Sequence, residues 1–158
     1  MKSVFLGGSR RISRLSDAIR TKLDELVQRG FWFFVGDANG ADRAIQQHLA
    51  NRHYDRVIVY SVTGNLRNNV GAWRVRFVDA PETARGFELY SAKDVQMATD
   101  ATYGLMLWDG KSRGTLANIR NLLAQGKPVA VYISPIRRFV SLRSDDDLKK
   151  LGPYAPAD

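Results

Sequence analysis

Two apolar rhythms alternate along this chain. Lys2–Leu6 is a short β-rich run, and the segment after it carries Leu15, Ala18, Ile19, Leu23, Leu26 and Val27 at helical spacing. Ser13 or Ser16 can cap the start of that helix, and Gly30 suits its left-handed end. Phe31–Val35 follows as an unbroken apolar run, the signature of a strand covered on both faces. A second helix is predicted from Ala41, Ala44, Ile45, His48 and Leu49, and a third strand at Val57–Tyr60.

The centre reads differently. Residues 61–69 are polar, and the alternation in Trp73–Val78 fits an exposed or edge strand. Pro81–Gly86 reads as loop, Phe87–Asp100 as helix and Tyr103–Trp108 as strand. Asp109–Gly114 turns into a further helix with Leu116, Ile119, Leu122 and Leu123 on its apolar face and Gly126 at its end. Pro128–Ile133 is the next strand, and the tail adds a strand at Phe139–Arg143 and a short helix from Asp145–Asp147 to Leu151.

Strands alternating with amphipathic helices predict an α/β protein, a Rossmann-like, doubly wound and mostly parallel sheet with helices on both faces. The 158 residues suit one domain, with its core at about 2–133 and the added strand and helix at 134–151. No internal repeat or low-complexity linker interrupts them.

Composition narrows the chemistry. Cysteine is absent, which excludes disulfides, thiolate metal sites and cysteine nucleophiles. His48 and His53 have no spaced partners, so neither a metal nor another cofactor is expected, and His48 reads as a core-edge residue of its helix. The longest apolar runs fall far below the ~18 residues of a membrane span. The first residues read as a strand rather than a signal peptide, so a cytoplasmic location is expected. Net charge is +8, and six of those eight charges fall in residues 1–79, where Arg10, Arg11, Arg14 and Arg20 cluster. Such an excess favours polyanionic partners, phosphorylated small molecules or nucleic acid, although a solvated basic face accounts for it equally well.

Three glycine-rich segments fall where a doubly wound sheet binds its ligands, beyond the carboxyl ends of the strands. In Gly7-Gly8-Ser9-Arg10, glycine permits close backbone approach and Ser9 and Arg10 offer donors to an anion. In Gly36-Asp37-Ala38-Asn39-Gly40-Ala41-Asp42, either aspartate can cap a helix or accept ribose hydroxyls. The segment Asp109-Gly110-Lys111-Ser112-Arg113-Gly114-Thr115 is not an ATPase phosphate loop, because that motif needs glycine at 105, where Leu105 stands. Ser112, Gly114 and Thr115 nevertheless form an anion cradle at a helix start, or at the least its cap. Glu88, Tyr90, Lys93 and Asp94 can face the same cleft, with Glu88 a candidate base or nucleophile, or can form a solvated helix face. Trp73 and Trp108 can stack on bases but suit the sheet and core better.

In this order the three segments resemble the loops of the SLOG superfamily, which takes in LOG-type phosphoribohydrolases, the DprA-type DNA-processing fold and YspA/YpsA-like proteins. The last branch looks closest, and the resemblance covers about residues 2–133. The third segment, followed by a helix and Gly126-Lys127-Pro128-Val129, is also similar to nucleoside deoxyribosyltransferases, which cleave N-glycosidic bonds. The resemblance implies a Rossmann-like homodimer that binds nucleotides or their derivatives across the loop edge. It assigns Ser9 and Arg10 to the first anion-binding loop, Gly36, Asp37, Gly40 and Asp42 to the second, and Gly110, Ser112, Gly114 and Thr115 to the phosphate loop; Gly8 and Asp109, in the same segments, complete the candidate ligand-binding set.

One departure matters. The phosphoribohydrolases carry a catalytic glutamate in Gly-Thr-x-x-Glu, and here Asn118 holds that position. An amide cannot act as a base or stabilise an oxocarbenium ion as a carboxylate does. The leading expectation is therefore a nucleotide-binding sensor or carrier. The alternative is an N-glycosidic hydrolase or transferase using Glu88, Asp37 or Asp109, and a third reading is single-stranded DNA binding.

Overall fold

The structure, a computed structural model, describes residues 1–157. Along the chain it comprises β1 (Ser3–Gly8), α1 (Asp17–Gln28), β2 (Trp32–Gly36), α2 (Ala41–Asn51), β3 (Val57–Val62) and β4 (Arg74–Val78). These are followed by α3 (Gly86–Asp100), β5 (Tyr103–Trp108), α4 (Arg113–Ala124), β6 (Val129–Ile133) and β7 (Arg138–Leu142). The predicted tail helix is 3-10 rather than α, at Asp145–Tyr154, where Gly152 is non-helical and Pro153 has no backbone donor.

One seven-stranded sheet has the order β4-β3-β2-β1-β5-β6-β7. All neighbours run parallel except β6 and β7. This is the doubly wound α/β architecture that the strand and helix rhythm predicts. The two-residue period of each strand sorts the core. Val4, Leu6, Phe33, Val35, Leu105 and Leu107 meet Ile19, Leu23, Ile45 and Leu49 of α1 and α2 on one face. Phe5, Phe34, Met106, Trp108 and Val131 meet Met97, Ile119 and Leu122 of α3 and α4 on the other. Both faces are covered, which explains the nearly continuous apolar runs in β2 and β5.

Helix α1 begins as its sequence dictates, with Ser16 rather than Ser13 at the cap. Its hydroxyl accepts from the N–H of Ile19 at 3.3 Å and donates to the Tyr132 hydroxyl of β6 at 3.3 Å. Ser16→Ala is expected to cost about 1 kcal/mol, the usual worth of such a cap. A thermal melt should show it as a fall of about 2–4 °C for a chain of this size. His48 lies at the core edge as expected, 6% exposed, with Nε2 2.8 Å from Asp24 Oδ1.

Connectivity fixes where a ligand can enter. From β1 the chain winds outward through β2 and β3 to β4, then returns over α3 to β5 on the other side of β1. The loops after β1 and β5 therefore diverge, opening a crevice at the carboxyl edge of the sheet.

Candidate functional site

That crevice is a cleft of about 590 Å³ whose walls come from β1, the loop after β2, both ends of the β5–α4 turn, and α3. Its rim carries Arg10, Arg11, Arg67 and Lys111, and its depth carries Asp42, Lys93, Asp94 and Asn118.

The glycines let the walls approach one another. Gly7 and Gly8 are the last residues of β1, not loop, and pair with Met106 and Leu107 of β5. A Cβ on Gly8 would stand 2.7 Å from both the Ala41 Cβ and the Leu107 carbonyl oxygen, so glycine here seats the start of α2 against the sheet. Gly40, at φ +84°, lies against the Arg10 backbone, where a Cβ would come within 2.6 Å of the Arg10 Cα. Loops one and two are thus a packed pair.

Ser9 joins them to the third loop. It is 1% exposed; its hydroxyl accepts from the Asp109 N–H at 3.1 Å and lies 3.5 Å from the Thr115 hydroxyl, while its N–H donates to the Leu107 carbonyl at 2.9 Å. Its place is a clasp between loops rather than the cleft lining. Asp109 shapes the β5–α4 turn by accepting from the N–H groups of Lys111 at 2.9 Å and Ser112 at 2.8 Å. Burial works to raise its carboxyl, but these donors outweigh it and hold it below the ordinary range. Gly110, at φ +81°, lies under the Tyr154 ring, which also meets Trp108 edge-on at 6.3 Å. Trp108 Nε1 donates to the Ser112 carbonyl at 3.1 Å. Ser112 caps α4 by accepting from the Thr115 N–H at 3.4 Å, and Gly114 lines the cleft beside them.

Asp37 is not in the cleft. It is 1% exposed and accepts from Arg67 twice, from the backbone N–H at 3.0 Å and from Nη2 at 2.8 Å, and from the Ser61 hydroxyl at 2.8 Å. Burial raises its carboxyl, but Arg67 and Ser61 more than reverse this, so it lies below the usual range. Glu88 is exposed at the first turn of α3, outside the cleft lining.

The depth of the cleft brings together Asp42 at the start of α2, Asn118 of α4, and Lys93 and Asp94 of α3, for which the sequence offers the cleft or a solvated face. Lys93, only 4% exposed, donates to Asp94 Oδ1 at 2.9 Å, and Asn118 Nδ2 donates to the other Asp94 oxygen at 3.1 Å. Asp42 accepts from the Ala38 N–H at 3.2 Å and shares with Lys93 the space left open by Gly36, where a Cβ would meet the Asp42 carboxylate and stand 2.8 Å from Lys93 Nζ. Burial pushes the Asp42 carboxyl up to about 6, opposed by the Lys93 charge. Burial also disfavours charge on Lys93, but Asp94 and Asp42 outweigh it and hold its ammonium above the ordinary range. Asn118 thus positions a carboxylate contributed by a different helix.

Tyr90 lines the cleft, the placement its helix allows, and is joined there by Arg67, which no sequence pattern puts forward. The Arg67 guanidinium lies 4.4 Å from the Tyr90 ring centre, and Arg10 lies 5.8 Å from the same ring. Arg67 Nε is buried without a hydrogen-bond partner among the described residues. Among those residues no group of His, Asp or Glu could hold a metal ion, and no helix is long and apolar enough to cross a membrane. No family model, curated protein or solved structure matches the chain.

Proposed function

We propose that the cleft binds a nucleotide or nucleotide-derived molecule, as a cytoplasmic sensor or carrier. One observation carries the reading: a single crevice at the β1/β5 divergence combines cations beside the α4 N-terminus with a fixed carboxylate at its depth. Arg10 and Lys111, neither of which has a carboxylate partner among the described residues, and the first turn of α4 suit phosphate. Asp94, whose oxygens each retain acceptor capacity after Lys93 and Asn118 are served, suits ribose hydroxyls. The likeness of the three loops to the SLOG superfamily supports the same reading and implies a homodimer, to be checked by light scattering.

The test is a thermal-shift screen against nucleoside mono-, di- and triphosphates, ADP-ribose, dinucleotides and short single-stranded DNA. A nucleotide at 100 times its dissociation constant adds about 2.7 kcal/mol and raises the midpoint by several degrees. Arg10→Ala is expected to weaken that nucleotide by about tenfold or more, the worth of one charged hydrogen bond. No nucleotide shift, with a salt-sensitive shift on DNA, would replace this reading with nucleic-acid binding.

A second reading, cleavage or transfer at an N-glycosidic bond, is favoured by one observation. Asp42, whose carboxyl burial pushes up to about 6, shares the cleft with a second carboxylate, Asp94, and a pair of carboxyl groups is what acid and base or nucleophile roles require. Under it, Asp94→Asn abolishes turnover of the bound nucleotide while leaving its binding measurable.

A further inference from the structure

Phe87 is the most exposed aromatic ring of the cleft, 64% exposed although it stands on a helix whose buried side is formed by Lys93, Met97 and Ala98. The fold makes no use of it in the core. The ring instead lies against the first turn of α4: a Cβ on Gly114 would be 3.5 Å from Phe87 Cε2, ordinary van der Waals contact. The apolar ring and the anion-facing turn are therefore adjacent walls of one cleft.

Of the other two aromatics that line the cleft, Phe5 is buried in the core and Tyr90 is already engaged. Tyr90 has Arg67 at 4.4 Å from its ring centre, and its hydroxyl accepts from Asn65 Nδ2 at 3.0 Å. Only Phe87 offers an open apolar face.

We propose that Phe87 is the stacking surface for the ligand's aromatic base, so that the cleft selects molecules that join a planar ring to an anionic group. The inference rests on the nucleotide reading and extends it by assigning to one residue the preference for a ligand that carries a base. Three features point to this class. An exposed ring gains by leaving water against another flat apolar surface. Stacking tolerates any base, which suits a wall that offers no hydrogen-bonding group of its own. The surrounding Arg10, Arg11 and Lys111 require that what carries the ring also carry negative charge.

The experiment is calorimetric titration of the full chain with a matched pair of probes, adenosine 5′-monophosphate and ribose 5-phosphate, which differ only in the base. Wild type, Phe87→Leu and Phe87→Trp are compared. Wild type should prefer the base-bearing probe, and Phe87→Leu should lower that preference by about tenfold, the effect of losing one stacked base. Phe87→Trp should retain it, and ribose 5-phosphate should bind all three chains alike.

Equal binding of the two probes to wild type overturns the inference while leaving the anion site standing. So does unchanged preference in Phe87→Leu, or an equal loss for both probes. A change in solution mass on Phe87→Leu would make the ring a subunit contact and overturn it as well. Failure of both probes to bind wild type would instead remove the nucleotide reading on which it depends. Because the ring is exposed, the unliganded melting midpoint should be the same in all three chains, which separates loss of stacking from loss of fold.

Discussion

Asp37→Ala is expected to lower the thermal midpoint on the order of 10 °C without a specific effect on ligand affinity. The carboxylate is 1% exposed and accepts from the Arg67 guanidinium, the Arg67 N–H and the Ser61 hydroxyl. Removing one member of such a buried pair leaves the others uncompensated and costs about 3–5 kcal/mol. A chain of this length loses about 2–4 °C per kcal/mol. The pH dependence has a definite sign. Because the folded carboxyl lies below its ordinary value of about 3.9, its contribution is complete above that pH and disappears as pH falls through the folded value. Wild type and Asp37→Ala should therefore converge in strongly acidic solution. A stable Asp37→Ala with reduced affinity would instead restore the ribose-binding role suggested by the sequence.

Asp42→Asn should act in the opposite direction. Folding keeps a proton on Asp42 up to about pH 6, whereas the unfolded chain releases it near 4. The folded state binds more protons across that interval, so this group's contribution to stability falls as pH rises through it. At pH 8 the protein carries a buried carboxylate whose cost the neighbouring Lys93 only partly offsets. An amide keeps the acceptor for the Ala38 N–H and removes the charge, and Lys93 retains Asp94. We expect a gain of about 2 kcal/mol at pH 8, shrinking to nothing near pH 4. Denaturant melts at the two pH values measure it, and a loss of stability at pH 8 would show that the Lys93 pairing outweighs burial.

The strands were legible because burial on both faces of the sheet demands apolar runs of strand length. Phe31–Val35 and Tyr103–Trp108 could be little else. The three loops were legible for a related reason: glycine is required where α2 and the Arg10 backbone come too close for a Cβ. The aspartates of those loops were harder to assign. Asp37 and Asp42 look alike in sequence, yet one is tied to Arg67 and the other opens on the cleft, a difference set by a loop residue thirty positions away that carries no periodic signal.

Helix α3 misled for a physical reason of its own. Its polar residue Lys93 is buried beside Met97 and Ala98 while its apolar residues Phe87 and Val95 are exposed, so the usual amphipathic pattern is blurred. The sequence offers both Glu88 and Asp94 to the cleft and favours Glu88 as the reactive carboxylate, whereas Asp94 lines the cleft and Glu88 does not. A buried lysine and an exposed aromatic ring on one helix signal a functional face, since the fold alone gains nothing from either.

The β5–α4 turn closes on itself without help from any guest. Asp109 holds two of its amides, Ser9 ties it to the neighbouring loop, Trp108 grips its Ser112 carbonyl, and Tyr154 covers Gly110 from outside. A molecule arriving at this wall has little chain left to immobilise, so association there sacrifices little conformational entropy. Encounter should proceed at the speed of rigid docking, hastened by the positive rim and slowed by added salt, and differences between one guest and another should reside in how long each remains.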